Sequence, residues 1–219
     1  AKRALSEARK RGNLVFINSG RGYGFLRDIE QMIEHDGCLC GCGTCVADAE
    51  GHILLQYRIP HERGIEIKKA VLRYGFDGIL EATEGNYFRE ELSWIPKVNE
   101  FRKAQVATGF VVDKGWNDND KLCVMADEHS DRDGLFHFLE PDMVVIDRGD
   151  DFYECVPKGY SKATAIEWTL RHYGIDFEDA YVFGDSSNDL AMFEYAKHAV
   201  LMGRHDAVLE PYATFVTKT

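Results

Sequence analysis

The chain has 219 residues, of which 45% are hydrophobic and 29% charged, and its formal net charge is -11. This length fits one large domain or a core with an inserted domain, and the composition favours a packed core over disorder. A chain this acidic is a poor general binder of nucleic acid or of an anionic membrane. No apolar stretch approaches the ~20 residues that span a bilayer. We therefore expect neither nucleic-acid nor membrane partners.

Four of the six cysteines fall within residues 37–45, at Cys38, Cys40, Cys42 and Cys45. A zinc or iron–sulfur site is one interpretation, but no second ligand cluster follows at zinc-ribbon spacing and no histidine pair lies close. Alternation at the first three positions instead indicates small side chains on one face of a strand, where cysteine acts as a buried hydrophobe. We favour this second interpretation, and reduced cysteines in an acidic chain indicate the cytoplasm.

The first sixty residues have the pattern of a doubly wound parallel sheet. Helical spacing over 1–8 precedes a short apolar strand at Leu14–Ile17, a turn at 18–22 and a second helical stripe over 25–33. Residues 38–58 then contain short strands around a turn at 48–51. The pattern predicts the first part of an α/β core.

From about residue 60 to 150 the pattern changes to mixed helices and strands with polar loops between them. Helices are predicted over Ile65–Tyr74 and Gly134–Leu139. The predicted strands are Gly78–Ala82, Gly109–Val112, Lys121–Ala126 and Met143–Ile146. This segment indicates an inserted α+β domain.

Alternating strands and helices resume near Phe152. Ser161 can cap a helix, and a strand at Ala180–Phe183 leads to a helix at Leu190–Ala196. A strand at 200–202, a helix around 206–212 and a final strand at 214–216 complete the pattern. The predicted fold is α/β, a Rossmann-like doubly wound parallel-sheet core with an inserted α+β cap. Its predicted divisions are core 1–59, cap 60–151 and core 152–219.

Two carboxylates, Asp185 and Asp189, follow an apolar strand that stops at Gly184. Open α/β sheets bind ligands at the carboxyl ends of their strands. One or two carboxylates with substrate phosphate commonly hold Mg²⁺. The alternative is that these side chains only cap the following helix.

Ser19 also follows an apolar strand, so a shared sheet would bring it to the same edge as Asp185. Lys162 is predicted at the start of a helix. A hydroxyl, backbone N–H groups, an ammonium and a carboxylate-bound metal are the groups that hold a phosphoryl group.

In these motifs the chain resembles the haloacid dehalogenase superfamily, in its Cof-like branch of phosphatases with the larger α/β cap. The resemblance consists of Ser-Gly-Arg at 19–21, Ser-Lys at 161–162 and Gly-Asp-Ser-Ser-Asn-Asp at 184–189, in that order. It covers nearly the whole chain and includes the inserted domain between the Ser-Gly-Arg and Ser-Lys motifs.

The resemblance implies a role for each matching residue. Catalytic roles are implied for Lys162, Asp185 and Asp189. Phosphate binding is implied for Ser19, Gly20, Lys162 and Asn188. Mg²⁺ would be held by Asp185 and, as the supporting acid, Asp189. The alternatives are purely structural roles. Ser19, Asn188 and Asp189 could only cap helices, and Lys162 could be a solvated residue at the start of a helix.

One departure from the family pattern concerns its first motif, an Asp-x-Asp pair that carries the nucleophile and the general acid/base. The strand that bears it would precede Ala1. The internal lookalike Asp131-Arg-Asp133 has no apolar strand running into it and is better interpreted as a helix start. We therefore expect residues 1–219 to be inactive alone and the parent protein to be active.

The implied function is Mg²⁺-dependent hydrolysis of small phosphorylated metabolites, often sugar phosphates, through an aspartyl-phosphate. One alternative is a phosphomutase of the same superfamily. Another is a non-catalytic relative that lacks the first motif and binds phosphate or a partner. The sequence leaves the substrate and the oligomeric state open.

Overall fold

A computed structural model of the protein describes residues 2–26, 30–106 and 118–218. Its first sheet has four strands, preceded by helix α1 (Lys2–Lys10). In spatial order the strands are β1 (Phe16–Asn18), β2 (Gly37–Cys40), β3 (Cys45–Asp48) and β4 (Ile53–Gln56). β1 and β2 are parallel, and the other pairs are antiparallel. The first strand therefore starts two residues later than predicted.

The predicted helix over 25–33 includes residues 27–29, which lie outside the described part of the chain. A 3₁₀ turn at Tyr23–Phe25 precedes them. The predicted strand Gly109–Val112 also lies outside the described residues.

The second sheet has five antiparallel strands and contains most of the segment from 60 to 157. In chain order its strands are β5 (Asp77–Ala82), β6 (Gly85–Tyr87), β7 (Lys121–Met125), β8 (Met143–Asp147) and β9 (Phe152–Pro157). The accompanying helices are α2 (His61–Arg73), α3 (Pro96–Val106) and α4 (Arg132–Leu139). Buried apolar side chains of α2 and α4, including Ile67 and Leu135, pack in one core with Leu122 of β7.

Strand β9 lies between β7 and β8 in this sheet. The sequence pattern groups this strand with the second part of the core, because alternating strands and helices resume near Phe152. The division of the chain at 59/60 and 151/152 stays a prediction. The pairing of β9 favours a second boundary just after Pro157.

The third sheet has three parallel strands. They are β10 (Tyr181–Gly184), β11 (His198–Leu201) and β12 (Phe215–Val216), accompanied by helices α5 (Lys162–Tyr173) and α6 (Leu190–Tyr195). Ser161 caps α5 as predicted: its hydroxyl accepts from the Thr164 amide at 3.2 Å, and the Thr164 hydroxyl accepts from the Ser161 amide at 2.9 Å. The predicted helix at 206–212 is a 3₁₀ segment, which contains Pro211.

Helix α5 joins the first and third sheets. Its Ala165 packs with Leu39 and Val46 of the first sheet, whereas Ile166 contacts both this cluster and the one around Val182 of the third sheet. Among the described residues, β1 and β10 are paired on one side only. Every helix in the described part of the chain is too short or too polar to cross a bilayer.

All six cysteines are free and buried. Cys38, Cys40 and Cys45 pack in a small cluster with Leu26, as expected of buried hydrophobes. The prediction for Cys42 was wrong, because the strand ends at Cys40. Cys42 instead lies in a turn with φ 55°, and its thiol contacts Glu154 rather than this cluster.

The turn at Gly41–Gly43 packs against the start of α5. Gly43 has φ +96°, and a Cβ built on it would lie 2.1 Å from the Ser161 carbonyl oxygen. Because the obstacle is backbone, the clash cannot be relieved by a side-chain rotation. The close contact fixes the amino end of α5 against the first sheet.

We expect Gly43→Ala to lower the free energy of unfolding by about 1–3 kcal/mol more than Gly159→Ala. Gly159 has φ +87° but nothing within 4 Å of its Cβ position, so it controls for backbone strain alone. Urea denaturation of both variants measures the difference. Equal losses would show that the contact with Ser161 relaxes without cost.

Candidate functional site

The turn after β10 is closed by the Asp189 carboxylate. Its Oδ2 accepts hydrogen bonds from the amides of Asp185 at 3.0 Å and Ser186 at 3.3 Å, and the residue is only 4% exposed. A Cβ on Gly184 would lie 2.6 Å from this oxygen, which explains the glycine at the end of the strand. Asp189 thus determines the shape of the loop that carries Asp185.

Lys162 reaches the same carboxylate from the first turn of α5. Its Nζ donates to Asp189 Oδ1 at 2.5 Å, and both side chains are 6% exposed. The interpretation of Lys162 as a solvated helix start is therefore wrong. The charged pair ties the start of α5 to the turn after β10.

The turn after β1 meets these two segments. The Asn18 amide nitrogen Nδ2 donates to the Lys162 carbonyl oxygen at 3.3 Å, and a Cβ on Gly20 would lie 3.8 Å from Asn188 Nδ2. The Ser19 hydroxyl follows directly after β1 and accepts from the Arg21 amide at 3.1 Å. The structure thus brings three distant stretches of chain to one rim.

Asp185 and Asn188 differ in their hydrogen bonding. The Asn188 Oδ1 accepts from the Ser186 hydroxyl at 2.6 Å, so its Nδ2 is the end that faces Gly20. Asp185 is exposed, and its main-chain carbonyl accepts from the Asp206 amide at 2.8 Å. In the part of the chain that the structure describes, no side-chain hydrogen bond involves the Asp185 carboxylate, so both its oxygens are available as ligands.

The chemistry of this rim suits an anion with an accompanying cation. A partly neutralised ammonium, a serine hydroxyl, a side-chain amide and backbone N–H groups can bind phosphoryl oxygens. A carboxylate that makes no hydrogen bond can hold a hard divalent cation.

A buried charged group that sequence reasoning missed lies beside this rim. The Lys121 ammonium is 2.6 Å from Glu154 Oε1 and 2.9 Å from Glu81 Oε2, with 2% of the lysine side chain exposed. The three residues stand on adjacent strands β7, β9 and β5. The sequence contained a signal for this group, namely a lysine and two glutamates within mainly apolar strands. Such residues are rarely buried without a charged partner, so a buried ion pair could have been predicted.

This group extends to the turn after β1. The Cys42 thiol lies 3.2 Å from Glu154 Oε1, and a Cβ on Gly20 would lie 3.4 Å from the same oxygen. Arg148 Nε is 3.7 Å from the other oxygen of Glu154. Side chains of the five-stranded sheet therefore border the candidate phosphate site directly.

The pKa values of the buried group follow from these contacts. Burial raises the pKa of Glu154, but the Lys121 ammonium, the Cys42 thiol and Arg148 outweigh it, so the net shift is downward. Burial lowers the pKa of Lys121, yet its acidic neighbours, with Cys123 first among them, raise it well above its ordinary value. Both groups are therefore charged at neutral pH.

Asp131 takes the role that the sequence predicted for it. It is the N-cap of α4, and its side chain accepts from the Gly134 amide at 2.9 Å. The Asp131-Arg-Asp133 run is thus a helix start.

A family model described as haloacid dehalogenase-like hydrolase matches residues 1–219. The chain belongs to this family. The match over the whole length agrees with the resemblance that the three motifs indicated.

Two curated relatives illustrate the similarity. A Streptococcus pyogenes serotype M6 protein, whose name combines a phosphatase with a peptidyl-prolyl cis-trans isomerase, is 29% identical over 234 residues. That alignment covers 99% of this chain and 46% of the relative. The 5-amino-6-(5-phospho-D-ribitylamino)uracil phosphatase YwtE of Bacillus subtilis is 39% identical over 71 residues, or 32% of this chain and 25% of the relative. The chain thus spans less than half the length of these relatives.

Solved structures share the fold. A phosphatase of the haloalkanoate (HAD) superfamily from Bacteroides thetaiotaomicron aligns with a TM-score of 0.81 and 23% identity, covering 98% of this chain and 80% of that one. A HAD subclass IIB sugar phosphatase aligns with a TM-score of 0.76 and 20% identity, covering 98% and 84%. These likenesses confirm the predicted Rossmann-like core with a cap.

We expect Glu154→Gln to destabilise the protein at neutral pH and to have a smaller effect in acid. Because folding lowers the pKa of Glu154, its ionised form contributes stability above about pH 4.3, the ordinary glutamate value, and this is lost as pH falls through the folded-state pKa. Urea denaturation between pH 3 and 7 measures this. Glu140→Gln, at an exposed position, is the control. A difference from wild type that stays constant with pH would contradict this assignment.

We expect Asp189→Asn to cost about 3–5 kcal/mol of unfolding free energy, because it leaves the buried Lys162 ammonium without its counter-charge. The double variant Asp189→Asn with Lys162→Met removes both charges and recovers part of that loss. The exposed Asp179→Asn is the control, with little expected effect. Chemical denaturation measures these variants and Lys162→Met alone, and simple additivity of the two single changes would contradict the pairing.

Proposed function

We propose that this chain provides most of the fold and active-site frame of a Mg²⁺-dependent phosphatase that acts on small phosphorylated metabolites. The observation that carries this proposal is the convergence of Lys162, Asp189 and Asn188 with the turn at residues 18–20, which contains Ser19. The names of its relatives support a phosphomonoester substrate, since one is a phosphatase of a ribityl phosphate and another a sugar phosphatase. Sugar phosphates are the class we favour, and the cytoplasm is the proposed location.

The proposed phosphate contacts follow the placement of the side chains. The Ser19 hydroxyl, the Gly20 amide and the Asn188 amide nitrogen would hold the phosphoryl oxygens from one side. Lys162 would neutralise them from the other, positioned by its hydrogen bond to Asp189. Such donors are effective because they are already oriented before the substrate binds.

The donor set suits Mg²⁺ at Asp185. Its exposed carboxylate would supply a direct ligand, with phosphate oxygens and water completing the coordination. Both Asp189 oxygens already accept hydrogen bonds, so this residue is better suited to support the site than to coordinate directly. When bound, Mg²⁺ would neutralise charge on the phosphoryl oxygens.

The nucleophile is proposed to come from an Asp-x-Asp strand outside residues 1–219, placed between β1 and β10. Two observations support that position. Both strands are paired on one side only in the described residues, and β10 leaves Tyr181 63% and Phe183 58% exposed. A parallel strand there would end at the rim, where its first aspartate could attack phosphorus and displace the substrate alcohol, which would take its proton from the second aspartate of the motif. Water would then hydrolyse the aspartyl-phosphate and release inorganic phosphate.

Two alternatives predict different products. A phosphomutase would return the phosphoryl group to a sugar hydroxyl instead of water, so product analysis with a sugar phosphate separates the two activities. A non-catalytic relative would bind phosphate without turnover. Determining the native residues that precede Ala1 tests this alternative, since the absence of an Asp-x-Asp motif would favour it.

We expect Asp185→Asn in the protein with its native flanking residues to reduce turnover at least about 100-fold and to weaken its dependence on Mg²⁺. The physical reason is the loss of a rim carboxylate that makes no side-chain hydrogen bond among the described residues. Release of phosphate from sugar phosphates across a Mg²⁺ titration is the measurement. The exposed Asp179→Asn is the matched control and should retain activity.

Unchanged turnover and Mg²⁺ dependence in Asp185→Asn would show that the metal site is elsewhere.

Lys162→Ala provides a second comparison, because it should reduce the maximal rate more than the amount of folded protein. Residues 1–219 alone should release no phosphate. Turnover by residues 1–219 alone would contradict the proposal of a separate nucleophile strand.

A further inference from the structure

A second group of metal-ligating side chains lies at the amino end of β2, formed by Glu30, His35 and Cys38. One ligand atom from each of them lies within 4.8 Å of the other two. The Cys38 thiol is 3.4 Å from Glu30 Oε1. The group combines a carboxylate, an imidazole and a thiol, and it shares no residue with the candidate phosphate site.

The histidine has an unsatisfied nitrogen. His35 Nδ1 is buried and has no hydrogen-bond partner among the described residues. Leaving a buried polar atom without a partner is energetically costly, so native structures rarely keep one without a reason. An imidazole nitrogen in this state, beside a thiol and a carboxylate, is suited to donate its lone pair to a metal ion.

The spacing of the three donors fits a tetrahedral ion. Zinc bonds of about 2.3 Å to sulfur and about 2.1 Å to nitrogen or oxygen place tetrahedral ligand atoms roughly 3.3–3.6 Å apart. The observed distance of 3.4 Å between the Cys38 thiol and Glu30 Oε1 lies in that range. The distances from the His35 nitrogen to the other two ligand atoms are at most 4.8 Å. A small side-chain movement would therefore bring all three atoms to tetrahedral spacing.

The donor atoms of these three side chains favour one kind of metal ion. A thiolate with an imidazole favours zinc over the hard ions Mg²⁺ and Ca²⁺, which prefer sets of oxygen ligands. We propose that Glu30, His35 and Cys38 form a zinc site with three protein ligands, in addition to the Mg²⁺ site of the proposed phosphatase.

A cleft gives this site access to solvent. It has a volume of about 550 Å³, and its lining includes Glu30, His35, Tyr23 and Glu50. Cys38 itself is fully buried behind it. The fourth coordination position would face the cleft and hold water or an exchangeable ligand, an arrangement typical of zinc sites that are not purely structural.

The surroundings of the site carry further acidic side chains. Glu50 lines the same cleft as Glu30. A divalent cation would offset the negative charge of these carboxylates.

The test is metal binding by the purified, metal-stripped chain. Zinc affinity is measured by competition with a chromophoric chelator, and Co²⁺ is added as a spectroscopic probe of zinc sites. We expect one tight zinc ion per chain and a thiolate-to-Co²⁺ charge-transfer band. Cys38→Ser should abolish the band, and Cys38→Ser and His35→Gln should each weaken zinc binding about 100-fold.

The matched control is His52→Gln. This exposed histidine belongs to another cluster of possible ligands, with Asp48 and Glu50, but its ring nitrogen already pairs with Asp48 at 2.9 Å. It should retain both the affinity and the Co²⁺ band. Circular dichroism confirms folding of each variant, and His35→Gln serves if Cys38→Ser fails to fold.

Three results would overturn the zinc site. The first is the absence of stoichiometric zinc in the wild-type chain. The second is a Co²⁺ spectrum without a thiolate band, and the third is equal loss of binding in His52→Gln and His35→Gln. None of these results depends on phosphatase activity, so the zinc site and the proposed function can fail separately.

Discussion

The buried ion pair between Lys162 and Asp189 is the interaction on which the candidate site depends. It joins the first turn of α5 to the loop after β10 through a 2.5 Å hydrogen bond, while the second carboxylate oxygen holds the loop backbone. Two charges removed from water need such complete pairing to be tolerated. The pair therefore limits where Asp185 and Asn188 can lie, and it holds the lysine ready for an anion.

The five-stranded sheet does more than cover this rim, because its charged side chains lie directly beside it. Lys121, Glu81 and Glu154 form a buried charged group whose edge touches Cys42 and Gly20 of the first sheet. A carboxylate so close to the proposed phosphate-binding turn would repel a phosphorylated substrate if it were not neutralised by the lysine. The buried group thus links the electrostatics of the first and second sheets, and a shift of one sheet against the other would disturb the proposed phosphate site.

The two proposed metal sites lie apart in the fold and offer different donor atoms. The loop that carries Asp185 offers oxygen ligands, which suit Mg²⁺, at the carboxyl end of β10. Glu30, His35 and Cys38 offer mixed ligands at the amino end of β2, where a thiol and an imidazole suit zinc. The difference in donor softness favours zinc over Mg²⁺ at the mixed-ligand site.

The sequence by itself determined the fold class and the family, and it predicted the segments after β1 and β10 and at the start of α5 as the parts of one site, because each depends on local periodicity or on short motifs. It also identified Asp131 as a helix cap from its immediate neighbours. Only the tertiary structure decided that Lys162 is buried against Asp189, that Cys42 leaves the strand and that β9 joins the five-stranded sheet. It alone brought Glu154 to Gly20. These features depend on contacts between distant segments, and neither propensity nor spacing along the chain specifies which buried groups will meet.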